Sequence, residues 1–381
     1  MNINRRSVKW IVFLSLLVAL SYLGLVGFKL VKWNAYWFPV YLQQKFLTED
    51  KTDKIEHLMF IVVDHYEPGF DKDEAVKANE AWLYEYHKAV KGKVDSYGNR
   101  FVYNWFYPFD QRNDRVLQWL QQEVEQGAGE LEFHWHKPCL TEQEYHLQLK
   151  EAVGWFNQFG AFKASSEAND IKQDPQARFA FIAGNWDLDN GRGTGCGIDN
   201  EISQLVKAGG YMDMTYSTLG SPAQPRNIIN QLYYVQDTNE ARSYEQGTRV
   251  KVGKPAVNSP FLMFQGPLSF HWDLTFEYGA LESYAVPSLK RIERWLESHI
   301  HVEGKPQWSF VKLYSHGIQS PSIVKNHLGP MLDQLKTETQ RRGIKLHYVS
   351  AREAYNIVRA AEAGLTGDPE QYRDYIHASP I

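Results

Sequence analysis

Two histidines flank a tryptophan in GELEFHWHKP, residues 129–138, and they are the first sign of chemistry in the chain. In an extended strand successive side chains point to opposite faces. Leu131, Phe133 and Trp135 then share one apolar face, and Glu132, His134 and His136 share the other. Imidazoles at i and i+2 stand side by side within reach of one cation, and neutral imidazole nitrogen is a good ligand for zinc and similar ions. Glu132, deeper on that face, is placed to orient a ligand imidazole from behind. Other reactive groups stand where apolar runs stop. HLMFIVVDHYEP stops at Asp64 and His65, and FVYNWFYPFDQ near Tyr107 and Asp110. ARFAFIAGNW leads into Asn185, Trp186 and Asp187, and FVKLYSHG ends near His316. A carboxylate from the first run, set beside the imidazoles, makes a three-ligand site with positions open to water. Such a site lowers the pKa of bound water and gives a nucleophile near neutral pH. Each group alone has a plainer reading: Asp64 as a helix cap, His316 as a surface histidine, GNWDLDNGRGTGCG as loop.

These groups need elements that bring them together. His57 to Val63 is a continuous apolar run rich in β-branched residues, as in a strand buried on both faces. Helical patterns at 71–93, 115–127, 141–160 and 199–210 alternate with strand patterns at 101–111, 129–136, 177–186 and 211–217. Thr141 and Glu144 form a capping box, and Gly127 stops the helix before it. The alternation resumes with a helix at 288–300, a strand at 308–317, a helix at 326–343 and a strand–helix pair at 344–364. About six or seven strand–helix units predict an α/β fold, a distorted or incomplete (β/α) barrel of parallel strands covered by helices. Active sites of such barrels lie at the C-terminal ends of the strands, where the reactive groups collect. Residues 55–365 make up this domain. Within it, 221–280 break the rhythm and read as an insertion of loops and antiparallel strands, and 366–381 read as an irregular tail.

WIVFLSLLVALSYLGLVGF, residues 10–28, carries no charge. At about 1.5 Å per residue it matches a bilayer core of about 30 Å. Residues 10–31 are expected to be a transmembrane anchor whose partner is the lipid bilayer. Arg5, Arg6 and Lys9 precede it, Lys29 and Lys32 follow, and Trp33, Tyr36 and Trp37 suit the interface. The charge bias favours residues 1–9 in the cytoplasm and the domain, past a stalk at 32–54, on the far side of a bacterial inner membrane, which in a Gram-negative bacterium is the periplasm. A cleaved signal peptide is the rival, although no clear A-x-A site follows. A net charge of −4 without a Lys/Arg-rich stripe gives no reason to expect nucleic acid as a partner. Aromatic residues reach 14%, which suits a groove that stacks on sugars and suits a large aromatic core equally well. Cys139 and Cys196 are the two cysteines; they allow one bridge and no disulfide framework.

The quoted stretches resemble the polysaccharide deacetylase superfamily (NodB-homology, carbohydrate esterase 4-like) over most of residues 55–360. IVVDHYEP stands where that family has an acidic motif at the end of its first strand, and GELEFHWHKPCLTEQEYHLQL where it has its histidine motif. AGNW, then GIDNEISQLVKAGGYMDMTYS, looks like the family's step toward its substrate wall, and FVKLYSHG resembles its last motif. The resemblance implies a metal-dependent hydrolase that removes N-acetyl or O-acetyl groups from a polysaccharide, with zinc the first choice of divalent ion. It implies Asp64 as base and His316 as general acid. It implies His65, His134 and His136 as metal ligands, and Asn185, Trp186 and Asp187 against the sugar. Two features depart from the family. His65 stands where a second aspartate is usual, and the ligand histidines are spaced by two rather than four, with Pro138 at the fourth place. A non-catalytic carbohydrate-binding barrel of an exopolysaccharide or envelope system therefore stays open. A metallophosphoesterase is a third reading, since DHYE, GNWD and HWH echo its motifs; their order differs, and Trp186 stands where a histidine is required.

Overall fold

The structure, a computed structural model, describes residues 5–47, 54–162, 178–193, 197–255 and 261–379. Two helices open the chain, α1 (Arg5–Lys32) and α2 (Phe38–Leu47). Lys9–Lys32 is long and apolar enough to cross a membrane. α2 occupies part of the expected stalk and is docked on the domain: Trp37 and Tyr41 are buried in one cluster with Leu268 and Phe270.

The alternating region runs β1 (His57–His65), α3 (Lys72–Val90), β2 (Tyr103–Pro108), α4 (Asp114–Glu125), β3 (Gly129–Trp135), α5 (Glu142–Gln158), β4 (Phe179–Ala183), α6 (Glu201–Ala208) and β5 (Gly210–Asp213). Side-chain oxygens of Asp71, Asn113 and Thr141 cap α3, α4 and α5, the last through a capping box with Glu144. Short strands follow: β6 (Leu232–Val235), β7 (Thr248–Arg249), β8 (Phe261–Phe264), β9 (Ser269–Phe270), β10 (Phe276–Glu277) and β11 (Ala280–Leu281). The chain then forms α7 (Leu289–Glu297), β12 (Trp308–Ser315), α8 (Gly329–Arg342), β13 (Lys345–Tyr348) and α9 (Ala351–Glu362).

Eight strands lie parallel in the order β11-β12-β1-β2-β3-β4-β5-β8. β6 and β7 continue the sheet antiparallel beyond β8. β12 pairs with β1 from His57 to Asp64, while the other edge of β1 is shared by β13 over His57–Phe60 and β2 over Val63–His65. β8 falls within the expected insertion yet is a parallel neighbour of β5. Its run FLMF is apolar throughout, so no alternation in the sequence marks which sheet it joins.

Leu58, Phe60 and Val62 of β1 pack outward against the helices, and Met59, Ile61 and Val63 pack inward with Ile182, Met212, Leu262 and Phe310. α9 packs on the same inner cluster. Lys312 of β12 donates to the carbonyls of Met214 and Tyr216, just past β5. β5 is five ladders away in the sheet, so the sheet curls until its distant strands meet. Phe264 of β8 and Phe310 of β12 face each other edge-on at 5.6 Å, and among the described residues no ladder joins these two strands. The architecture is a mixed α/β fold around one large, curled, mostly parallel sheet.

Candidate metal centre

β1 ends by sending two neighbouring side chains to opposite faces. His65 continues the inward series of Ile61 and Val63, and Asp64 the outward series. β3 sends His134 inward, and His136 follows one residue past its end. β12 ends at Ser315, so His316 opens the next loop. Three C-terminal strand ends thus deliver four imidazoles to one place. The rings of His65 and His134 are 4.9 Å apart, His65 and His316 4.6 Å, and His134 and His136 4.5 Å.

Their common focus is Glu67, two residues past β1. Its Oε1 lies 3.2 Å from His134 Nε2, 3.3 Å from His136 Nε2 and 3.8 Å from His316 Nε2. Its other oxygen accepts from the Gln319 amide at 2.8 Å. Each of these three rings is held from behind through Nδ1. His134 donates to the Ile182 carbonyl at 2.9 Å, and His316 Nδ1 is 2.7 Å from Glu282 Oε1. His136 Nδ1 is 3.3 Å from Asp110, which also accepts the His136 backbone N–H at 2.9 Å. Metal-binding histidines are typically fixed in this way, with the rear nitrogen held and the front one presented.

For His65 and His134 the electrostatics agree with ligand duty. Burial lowers His65 well below the usual imidazole range and lowers His134 as well, which leaves their lone pairs unprotonated. Burial also works to lower His136, but Asp110 and Glu67 outweigh it and push the ring up to about 9. For His316 burial is again opposed, here by Glu282, and the pKa is raised. Burial tends to raise Glu67, and hydrogen bonds from His134 and His136 override it, holding the carboxylate well below the usual range. One atom tests the fit of a cation directly. His65 Nε2 is buried with no hydrogen-bond partner, and a buried orphan of this kind needs an explanation. One nitrogen or oxygen from each of His65, Glu67 and His134 lies within 4.8 Å of the others. Imidazole nitrogens with a carboxylate oxygen form a donor set that suits zinc and similar ions.

The other residues expected at the site are distributed around it. Asp64 is fully buried behind the cluster, accepting from the Gly317 N–H at 2.7 Å and the Tyr103 hydroxyl at 3.0 Å. Burial pushes its carboxyl up to about 7 against those two donors. Glu132 lies deeper and accepts from the Ala180 N–H at 2.6 Å and the Tyr211 hydroxyl at 3.2 Å; no hydrogen bond among the described residues ties it to His134. Trp186 forms a wall, 6.0 Å from the rings of His65 and His316, with its indole N–H buried and unpartnered. Asn185 beside it is exposed, and both residues have positive φ, 55° and 56°. Asp187 turns away to accept the Arg192 N–H at 2.7 Å. Glu67, Asp110 and Glu282 are the acidic members that pattern reading did not assign. Asp110 was marked only as a polar group at the end of its apolar run, Glu67 only by its place two residues after His65, and Glu282 had no signal.

A second group, His57, His347 and Asp368, lies at the opposite end of β1. There His347 bridges Glu370 and His57 at 3.0 and 2.9 Å, and Lys345 pairs with Asp368 at 3.4 Å. Protons and a lysine already meet the facing atoms. Cys139 is disulfide-bonded; the chain's other cysteine, Cys196, lies outside the described residues.

No protein-family profile and no curated protein matches the chain. Among solved structures, a protein assigned as a glycoside hydrolase/deacetylase from Parabacteroides distasonis is similar at 9% identity and a TM-score of 0.40, covering 78% of this chain and 69% of that one. The 4-alpha-glucanotransferase from Thermococcus litoralis is similar at 12% identity and a TM-score of 0.38 over 86% of this chain. The match spans about half of the glucanotransferase, 49% of its length.

Proposed function

We propose that the protein is a membrane-anchored, metal-dependent deacetylase that removes N-acetyl or O-acetyl groups from a polysaccharide. The observation that carries this reading is the convergence of His65, His134, His136 and His316 on Glu67, with the rear nitrogens of three of them held. His65, His134 and His136 are the ligands. A bound divalent ion, zinc first, would polarise the acetyl carbonyl and lower the pKa of a water molecule. Glu67, kept ionised at the focus, takes the proton of the attacking water. His316, whose pKa Glu282 raises, gives a proton to the departing amine or alkoxide. Asp64 acts through its neighbours, fixing the His316–Gly317 turn from behind. Trp186 offers an apolar face to a sugar ring, with Asn185 at the open rim.

α1 is read as the anchor of a single-pass protein of the bacterial inner membrane, with its domain in the periplasm. Two observations support this. The disulfide at Cys139 suits an oxidising compartment, and the end of α1 is packed on the domain rather than free of it. The test uses the full chain purified in detergent. Bound zinc or a similar ion, lost in His134→Ala, together with acetate release from N-acetylated glycans, is the expected result. Absence of metal at every pH tried, or release of phosphate from a phosphodiester in place of acetate, overturns the reading.

A further inference from the structure

α1 does not stand clear of the domain. Tyr22, Val26, Lys29 and Leu30 are its partly shielded residues, spaced as one face of a helix. Val26 and Leu30 pack on the cluster of Leu268 and Phe270, which Leu274 and Phe276 also flank. Nearer the middle of the apolar stretch, the Tyr22 hydroxyl donates to the Trp272 carbonyl at 2.8 Å. Trp272 stands at the tip of the antiparallel hairpin β9–β10 and is 79% exposed. The hairpin therefore lies along α1 from Leu30 back to Tyr22, about 12 Å of helix at about 1.5 Å per residue.

That length conflicts with a hairpin in water. Lipid would then hold only the part of α1 before Tyr22. From Lys9, where the apolar span starts, this is about 20 Å of helix, short of a hydrocarbon core of about 30 Å. We propose that the tip of hairpin β9–β10, led by Trp272, is embedded in the interfacial layer of the bilayer that α1 crosses. Indole rings favour that layer. The neighbouring carboxylate does not oppose it, because Asp273 pairs with Lys290 at 2.5 Å and Arg294 at 2.8 Å. Those two cations then lie level with the lipid phosphates. A second contact fixes the tilt: the Asn34 side chain donates to the Gly220 carbonyl at 2.9 Å. Gly220 and the hairpin both lie in segments that leave the C-terminal ends of parallel strands, β5 and β8, the same end that bears the histidines. The bilayer thus meets the domain on its histidine-bearing end.

This inference rests on α1 being a retained membrane-crossing helix. The test places a nitroxide label at Trp272→Cys, Leu16→Cys or Tyr84→Cys in the full chain, reconstituted in phosphatidylethanolamine–phosphatidylglycerol vesicles. All three side chains are exposed, at 79%, 57% and 69%, so the fold tolerates the changes. Relative to the label at 84, the label at 272 should lose collisions with a water-soluble nickel chelate and gain collisions with oxygen, as the label at 16 does. A label at 272 that matches the one at 84, while 16 stays in lipid, overturns the embedded hairpin and leaves the anchor standing. A label at 16 that matches the one at 84 removes the anchor and the hairpin together.

Discussion

Asp110 touches no other imidazole of the cluster, yet it holds His136 twice, at the ring and at the backbone N–H. Loss of such a rear contact commonly costs about 10- to 100-fold in metal affinity, and Asp110→Asn should show that loss in competition with a chelator. Glu67→Gln separates base from ligand. Removal of a general base costs about 10²- to 10⁴-fold in turnover, so acetate release should fall by that much while metal content holds. Metal lost along with activity would make Glu67 a ligand instead. The histidines were legible because alternation along a strand is a short-range rule. The same rule places Asp64, the base that the family resemblance implies, on the face opposite His65, behind the cluster. The end of an apolar run marked Asp110 but not its hold on His136, and nothing marked Glu282. One lies in a single turn, Phe109–Gln111, and the other follows the two-residue strand β11, and neither has a periodicity to read.

At the scale of elements, the turn after β12 is the tightest joint near the cluster. A Cβ on Gly317 would come within 2.4 Å of Asp64 Oδ2 and 2.9 Å of the Tyr103 hydroxyl. Overpacking of this kind costs about 1–3 kcal/mol, so Gly317→Ala should lower stability in denaturant by about that much. It should also lower turnover by displacing His316 and leave metal content intact, because the proposed ligands come from β1 and β3. Gly184→Ala differs in kind. Its Cβ would meet the Trp135 carbonyl at 2.5 Å and His136 Cα at 2.6 Å, so metal content should fall with stability. The alternating elements and the capping box of α5 were readable from local pattern. α2 was not, since its helix is fixed by docking of Trp37 and Tyr41 onto residues more than two hundred positions away.

For the whole molecule, acid is a gauge of how the far end of β1 is closed. Burial, then the neighbouring His347, lowers His57 to about 4. An unfolded chain protonates this ring at about 6.5, so between those values the unfolded state binds more protons and stability falls as pH falls. His57→Asn lacks that response. The stability gap between wild type and variant should therefore narrow from about pH 7 to about pH 4.5 in denaturant titrations; a constant gap would mean that His57 takes up its proton equally in the folded and unfolded states. The placement of β1 has one more consequence, and it concerns time. β1 is the first strand synthesised, but β12, its partner from His57 to Asp64, follows about 240 residues later. At about 5–20 residues per second, that is roughly 10–50 s in which an apolar strand keeps an open edge. Open apolar edges are where chains join other chains, so slower elongation should raise the aggregated fraction of the newly made protein.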